Sequence, residues 1–338
     1  MIEIIKNKEH WDVLINEVES FDFYSTYEYH DLSKLSGETP ILIKYSKDDI
    51  IIGLPLLLRP INNSNFCDAT SVYGYAGPIS KNVHPNFDNS EFQEELHAFF
   101  IENNIVSVFS RLNPYLAHQE SILSAAGQII VKGEVVMIDL SESSELQRQQ
   151  YHKRMKSQIN KARMLCTVRK AESKEDIMLF MELYYENMNR VDAKDYYYFN
   201  EDYFHKFMKN SNGKVDILLA TLNESNTVIS GAMFMKTKNI IQYHLSGTKS
   251  DYMNVGALKL IIDEMRIQGT EEGYKLLNLG GGLNSNDDSL LRFKKSFSKI
   301  TREFSVWQYI VNEKIYNELC APFQGKTTEY FPKYRCAD

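Results

Sequence analysis

VDILLATLNESNTVISGAMFM (215–235) reads as strand, turn, strand, with Gly231 placed shortly after the turn. Upstream of it, Ile177, Phe180, Met181 and Tyr184 recur at the spacing of one helical face. Downstream, IIQYHLSG (240–247) predicts a further strand. Residues 255–272 predict a helix with Leu258, Ile261, Ile262 and Met265 on one side and Gly273 at its C-terminal cap. KLLNLGG (275–281) then reads as a buried strand. The first half has the same order. Trp11, Leu14, Ile15 and Val18 form the helical stripe, ILIKYSKDDIIIGLPLLLR (41–59) the hairpin with its Gly53, and SVYGYAGPIS (71–80) a short extended piece. FQEELHAFFIENN (92–104) follows as a helix and IVSVFSRL (105–112) as a strand. The offset grows from about 166 residues between Trp11 and Ile177 to about 178 between Gly53 and Gly231, so the halves differ by loop insertions. Two strand-and-helix units in tandem predict an α/β (α+β) fold with mixed sheets.

Between the halves, residues 140–164 carry a helical stripe of Met155, Ile159, Ala162 and Cys166 on an otherwise basic segment with Lys153, Arg154, Lys156, Lys161 and Arg163. That basic surface suits either plain solvation or contact with phosphates or RNA. REFSVWQYIV (302–311) reads as a strand, and a helix-like stretch and polar tail follow it.

Composition sets the outer limits. The chain has 338 residues, 43% hydrophobic and 25% charged, which suits one or two globular domains. A net charge of −7 argues against a large nucleic-acid footprint. The four cysteines are scattered with no CxxC pair, which is neither a disulfide framework nor a zinc pattern and fits a reducing compartment. The longest apolar run, Ile50 to Leu58, is interrupted by Gly53 and Pro55 and is far shorter than a membrane span. The expected location is cytoplasmic, with no integral membrane association. Tyrosine is in surplus, 21 against 18 Phe and 2 Trp, which fits either sites for polar rings or a coding bias.

Four constellations carry chemistry. In QYHLSGTKSDYMNVGALKLIIDEMR (242–266) a strand, a loop and a helix start follow one another, and Asn254, Val255, Gly256, Ala257 and Leu258 offer backbone N–H groups to an anion such as a pyrophosphate. In NLGGGLNSNDDSLLRFKKSF (278–297) three consecutive glycines, Gly280 to Gly282, either admit unusual backbone geometry or leave room for a ligand. No Gly-Lys-Ser/Thr follows them, so this is not a Walker loop. Lys294 and Lys295 lie just beyond, and a Lys beside an acyl carbonyl would stabilise an oxyanion. Arg190, among the polar and aromatic residues of 185–204, suits a phosphate or an ion pair with Asp192 or Glu186. Tyr73 and Tyr75 flank Gly74, and alternate spacing sets both rings on one side of an extended segment. His244 is central in its strand and is the candidate base for an amine. No Ser-His-Asp order, HExxH or paired-carboxylate pattern is present, and no metal is expected.

Together, FYSTYEYHDLSKLSG (23–37), SVYGYAGP (71–78), HKRMKSQINKAR (152–163), NRVDAKDYYYF (189–199), YHLSGTKSDYMNVGALKLIIDEM (243–265) and GYKLLNLGGG…LLRFKKSF (273–297) resemble the Fem-type peptidyltransferase family and its tandem GNAT-like N-acyltransferase relatives. The resemblance implies two GNAT-like domains, 1–140 plus about 311–338 on the acceptor side and 141–310 for the acyl donor and the reaction, with the acceptor held in the cleft between them. It implies transfer of an acyl or aminoacyl group onto an amine. Arg190 matches an arginine that grips substrate phosphates, and Lys294 or Lys295 matches the lysine beside the reacting carbonyl. Tyr73, Tyr75, Tyr197 and Tyr243 join them as expected substrate contacts. Residues 254–258 match the pyrophosphate loop, although the usual Arg/Gln-x-x-Gly-x-Gly/Ala here reads Tyr252-Met253-Asn254-Val255-Gly256-Ala257. The long charged coiled-coil insertion of some tRNA-using members is absent from the sequence. The leading expectation is N-acylation of a nucleotide-linked (dTDP or UDP) amino sugar from acyl-CoA, in surface-polysaccharide synthesis. The alternatives are an aminoacyl-tRNA-dependent peptidoglycan-bridge transferase and a non-catalytic binding protein on the same fold.

Overall fold

A computed structural model of the chain describes residues 1–194, 198–210, 214–323 and 328–336. In chain order the elements are β1 (Ile2–Ile5), α1 (Lys8–Glu17), α2 (Tyr27–Ser33), β2 (Thr39–Lys47), β3 (Ile50–Pro60), β4 (Cys67–Thr70), β5 (Ile79–Lys81), α3 (Ser90–Glu102), β6 (Ile105–Arg111) and α4 (Gln119–Leu123). Then come β7 (Gln128–Asp139), α5 (Ser144–Gln149), α6 (Lys153–Leu165), β8 (Cys166–Lys170), α7 (Lys174–Arg190), α8 (Glu201–Asn210), β9 (Val215–Leu222), β10 (Val228–Thr237) and β11 (Ile240–Thr248). The last are α9 (Ala257–Glu271), β12 (Leu276–Gly280), α10 (Ser289–Lys295), β13 (Thr301–Ile310) and α11 (Glu313–Cys320). Two units result: residues 1–132 with 303–338, and residues 133–302. The chain leaves the first unit within β7 and re-enters it within β13. The unit boundaries therefore fall inside long strands, eight or so residues before the expected 140 and 311.

Each unit has the same sheet. In the first, the order is β1-β2-β3-β4-β6-β13, with β5 added on β3. In the second it is β8-β9-β10-β11-β12-β7. The parallel pair in each follows the crossover helix, β4 with β6 across α3 and β11 with β12 across α9, and the remaining pairs given with a direction are antiparallel. A parallel neighbour needs such a crossover, so the helix between the strands is dictated by the pairing. The fold is mixed α/β, with the same strand order in each of two units.

The helices form where the sequence places caps and stripes. Asn7 caps α1 by accepting from His10 N at 2.9 Å, and Trp11, Leu14 and Ile15 of the stripe are buried. Ser173 and Asp176 close a reciprocal capping box on α7, whose Phe180, Met181 and Tyr184 are buried. Burying one large apolar side chain contributes roughly 1.5–3 kcal/mol, so these stripes are what dock the helices.

The two glycines noticed in the hairpins do the same thing twice. A Cβ on Gly53 would stand 2.9 Å from Leu14 of α1, and one on Gly231 would stand 2.8 Å from Phe180 of α7. In each unit a glycine on the second hairpin strand lets a helix that precedes the hairpin, α1 or α7, press directly onto the sheet. The other sheet face packs on the crossover helix: Ile52 and Leu54 with Phe92, Leu96 and Phe100 in the first unit, Ala232 and Phe234 with Leu260 and Ile261 in the second. In the second unit α6 adds Met155, Ile159 and Ala162 to this core.

Where expectation and structure differ, the reason is local. SVYGYAGP is a loop, not an extended run, because Gly74 has φ +116° and Gly77 φ +66°. Strand β7 lacks a clear sequence signal because its first half, residues 128–134, is only partly buried and does not alternate. All four cysteines are free. No helix among the described residues is long and apolar enough to cross a membrane.

Candidate active site

The loop that feeds α9 is the first part of the site. After β11 the chain makes a 3-10 turn over Ser250–Val255, and Gly256, at φ +79°, turns it into the helix. The left-handed conformation is what demands glycine here, because a Cβ would meet nothing closer than 3.7 Å. Ala257 is fully buried in the core and Leu258 packs against it, while Asn254 is exposed and Val255 half-buried. Arg190, at the end of α7, donates from Nη1 to the Thr248 carbonyl at 3.0 Å and to Ser250 Oγ at 3.3 Å. Glu186 accepts from Ser250 N at 2.6 Å. The last turn of α7 thus fixes the start of this loop, and Arg190 is engaged with the loop rather than with Asp192 or Glu186.

Two cations crowd the same helix end. Lys259 is half-buried and donates to Gln158 Oε1 of α6 at 2.8 Å. Burial and the nearby Arg154 guanidinium both push its pKa below the usual lysine value. The first turn of α9 holds no acidic residue. The helix dipole, Lys259 and Arg154 therefore add, and the place favours an anion. The corresponding helix of the first unit, α3, is built the opposite way. Its first turn contains Glu91, paired with Lys47, and Asn89 beside it is spent on the carbonyls of Ser121 and Ser124. The basic side chains further along α6 are partly committed: Arg163, together with Arg148 and Arg266, surrounds the fully buried Asp263 of α9.

The second part is the glycine run. Gly280 has φ +77°. A Cβ on Gly281 would lie 2.7 Å from the Glu134 carbonyl of β7, and one on Gly282 would lie 2.0 Å from the Asn286 carbonyl. Close backbone approach on both sides, rather than room for a ligand, explains the triplet. Asp288 then caps α10, accepting from Leu291 N at 2.8 Å and from Leu283 N at 2.9 Å. On this short helix Lys294 is 8% exposed and its Nζ donates to the Gly281 carbonyl at 2.6 Å. Burial pushes its pKa down to about 8, with the Asp288 carboxylate opposing. Lys295 points elsewhere: its Nζ lies 2.6 Å from Glu134 Oε2, whose other oxygen accepts from Thr301 at 3.0 Å. Of the two lysines, Lys295 ties α10 to β7, and Lys294 keeps its ammonium beside a bare carbonyl.

The remaining candidates scatter. His244 stacks on Phe207 at 6.0 Å between centroids, with Tyr203 Oη 3.4 Å from Nε2. Burial pushes its pKa down to about 3, so the imidazole is neutral and a weak base at neutral pH. Tyr243 pairs with Ser246 Oγ at 2.5 Å, packs on Phe234 and has its hydroxyl pushed up to about 12 by burial. Tyr73 and Tyr75 do not share a side. Tyr75 sits edge-on to Tyr24 and Phe304 in a packed aromatic group, whereas Tyr73 is 44% exposed beside Arg111. The positive φ of Gly74 between them undoes the strand alternation. Tyr197 lies outside the described residues. The sequence reading missed Asp288, Lys259 and Gln158. An N-cap signal, Asp288 ahead of Ser289-Leu290-Leu291, was present for the first; the other two are defined only by the packing of α6 on α9.

Residues 224–316 match the model of the FemAB family. No curated protein matches the chain. Among solved structures, FemX has a TM-score of 0.73 at 13% identity, covering 94% of this chain and 99% of that one. L-PGS from Bacillus licheniformis has a TM-score of 0.58 at 14% identity, covering 92% and 93%. A tandem GNAT protein from the clavulanic acid biosynthesis pathway has a TM-score of 0.50 at 9% identity, covering 92% and 99%. At these identities the structures speak to the fold. The matched segment contains the loop into α9, the glycine run and Lys294. Over residues 224–316 the chain is thus similar to the FemAB family, and over most of its length it shares the fold of FemX and of the tandem GNAT protein.

Proposed function

We propose that this chain is a transferase that moves an acyl or aminoacyl group onto an amine. The observation that carries the reading is Lys294, a buried lysine whose pKa of about 8 leaves it mostly charged at neutral pH, held by the Gly281 carbonyl. The amine nitrogen attacks the donor carbonyl and forms the C–N bond. The carbonyl oxygen becomes an oxyanion, to which the Lys294 ammonium donates while its contact to Gly281 persists through another N–H. Collapse breaks the bond to the leaving group, a thiolate or an alkoxide, which takes up a proton. Water accepts the proton of the attacking amine, since His244 at about 3 is too weak for that task. Holding both substrates in line supplies much of the rate.

Two donor and acceptor pairs fit this chemistry. Acyl-CoA with a nucleotide-linked amino sugar is supported by the compact cationic seat of Gly256, Lys259 and Arg154, which suits a diphosphate, with Arg190 beside it. Aminoacyl-tRNA with a peptidoglycan-bridge peptide is supported by the FemAB-family segment and by the exposed Lys153, Arg154 and Lys161 of α6, which make no ion pair among the described residues. The second reading stands level with the first. Transfer assays separate them: acyl-CoA with a panel of dTDP- and UDP-amino sugars, against charged tRNA with cell-wall peptide precursors. Product from the tRNA arm alone, with tRNA affinity falling steeply as salt rises, would remove the CoA reading. Silence in both arms, with the protein folded, would leave a binding protein on this fold.

A further inference from the structure

Strand β12 reads Leu276-Leu277-Asn278-Leu279-Gly280, and its polar side chain, Asn278, is 1% exposed. Asparagine is a poor strand former, and a buried primary amide costs free energy unless its groups are bonded. An apolar residue would serve the sheet better. The parallel pairing of β11 with β12 runs over Ile240–Gln242 and Leu276–Asn278, so Asn278 stands where that pairing ends. There its Nδ2 donates to Gln242 Oε1 at 2.7 Å, and Gln242 is equally buried. Gly280, at φ +77°, donates its N–H to Asn278 Oδ1 at 2.9 Å, a side chain bonding the backbone two residues on. One end of the amide is thus anchored in the sheet and the other on the glycine turn.

The next residue on that turn supplies the carbonyl that holds Lys294. Among the described residues, Gly281 O at 2.6 Å is the hydrogen-bond partner of the buried Nζ. Of the charged groups, Asp288 acts on this ammonium from the start of its own helix. Glu134 of β7 is bonded instead to Lys295 and Thr301. The later part of the turn is closed by other contacts. A Cβ on Gly133 would lie 2.6 Å from the Ser285 carbonyl, and Leu283 N donates to Asp288 at 2.9 Å. The beginning of the turn is fixed by Asn278. One carbonyl aims the ammonium, and a buried amide just upstream in the chain sets where that carbonyl stands.

We infer that Asn278 is a positioning residue, which fixes the glycine turn through Gly280 N and so holds the Gly281 carbonyl and the Lys294 ammonium in place for the reaction. This rests on the transfer reading above for the role of Lys294, and it adds the group that acts through it.

The test compares two variants that differ by one oxygen. Competitive labelling of the full chain with acetic anhydride across pH, read by mass spectrometry on the peptide bearing Lys294, follows its ionisation with no substrate present. Asn278→Ala releases Gly280 N, the turn loosens and water reaches the ammonium, so the titration of Lys294 moves up by about one pH unit toward the ordinary lysine value. Asn278→Ser restores an oxygen that accepts from the N–H two residues on and returns the titration close to wild type. In transfer assays Asn278→Ala lowers kcat roughly tenfold with KM within about twofold, and Asn278→Ser recovers most of the loss. Melting curves establish that each variant is folded. If Asn278→Ala does not fold, Asn278→Cys, closer in volume and a weak acceptor, takes its place. A wild-type titration of Lys294 in the folded alanine or cysteine variant, or a shift as large in Asn278→Ser, overturns the inference. The contrast in labelling, with no transfer by wild type from any donor, would uphold the hold on Lys294 and sink the transfer reading instead.

Discussion

Lys294 and His30 are two buried side chains whose ionisation the fold bends toward neutrality, each with a checkable consequence. For Lys294 the folded pKa of about 8 lies below the unfolded value of 10.5. The ammonium is therefore penalised in the fold by about 3 kcal/mol at one pKa unit per 1.36 kcal/mol. That penalty is full below pH 8 and fades as pH rises toward 10.5. Lys294→Met should raise stability in urea at pH 7 by up to about 3 kcal/mol, lose the advantage near pH 10.5, and lower kcat roughly 10²–10³-fold. The wild-type kcat/KM should also fall above about pH 8, a limb missing from Lys294→Ala; a variant with full kcat would take the residue out of the mechanism. His30 of α2 is fully buried, with Nδ1 2.9 Å from the Thr26 carbonyl and its pKa pushed down to about 4 by burial. Here the folded value lies below the unfolded 6.5, so the stability is complete above pH 6.5 and is lost as pH falls toward 4. The loss amounts to about 3 kcal/mol. Melting of His30→Leu between pH 6.5 and 4 should be flatter than wild type, and an identical slope would refute the assignment.

The contact between helix and sheet turns on where a missing Cβ points. At Gly53 and Gly231 the added atom meets the ends of Leu14, Leu219 and Phe180 side chains, which have some room to shift. Gly53→Ala and Gly231→Ala should each cost about 1–3 kcal/mol in urea unfolding. At Gly247 of β11 the atom would meet the Leu183 carbonyl at 2.0 Å and Tyr184 N at 2.6 Å, which is helix backbone. Gly247→Ala should cost more than either, because α7 itself must lift, and it should also loosen the loop that Arg190 and Glu186 hold. Equal losses at all three positions would show that the helix yields as easily as a side chain. The paired glycines were legible from sequence as a repeat, because turn spacing is local. Their purpose was not, since Leu14 and Phe180 lie some 40–50 residues away along the chain.

Across the whole molecule, the first unit is assembled from both ends of the chain. Its closing segment is held by buried charge. Arg335 Nε lies 2.8 Å from Asp68 Oδ2, its Nη2 donates to the Pro60 carbonyl at 2.7 Å, and Tyr334 Oη lies 2.8 Å from Ser107 Oγ. Arg59 holds the other oxygen of Asp68 at 2.6 Å. Removing residues 328–338 leaves that buried carboxylate with half its partners, and stability should fall by roughly 2–3 kcal/mol. Arg335→Ala should reproduce most of the loss in a thermal melt. A truncated chain that melts with wild type would show that the segment only rests on the unit.

The sequence alone determined the doubled order of helix, hairpin, strand, helix and strand, because apolar periodicity and turn residues act over a few positions. It also singled out the loop into α9, the glycine run and the Lys294–Lys295 pair as candidates for chemistry. Which lysine is buried and which is paired, and why the glycines are there, only the tertiary structure decided. Glu134 lies 161 residues from the Lys295 it binds. The carbonyls that exclude a Cβ from Gly281 and Gly282 come from β7 and from the turn before α10. The pKa values of Lys294 and His244 follow from burial, which no spacing in the chain records. Local pattern fixes what each segment becomes; partners brought from afar fix what its charged groups do.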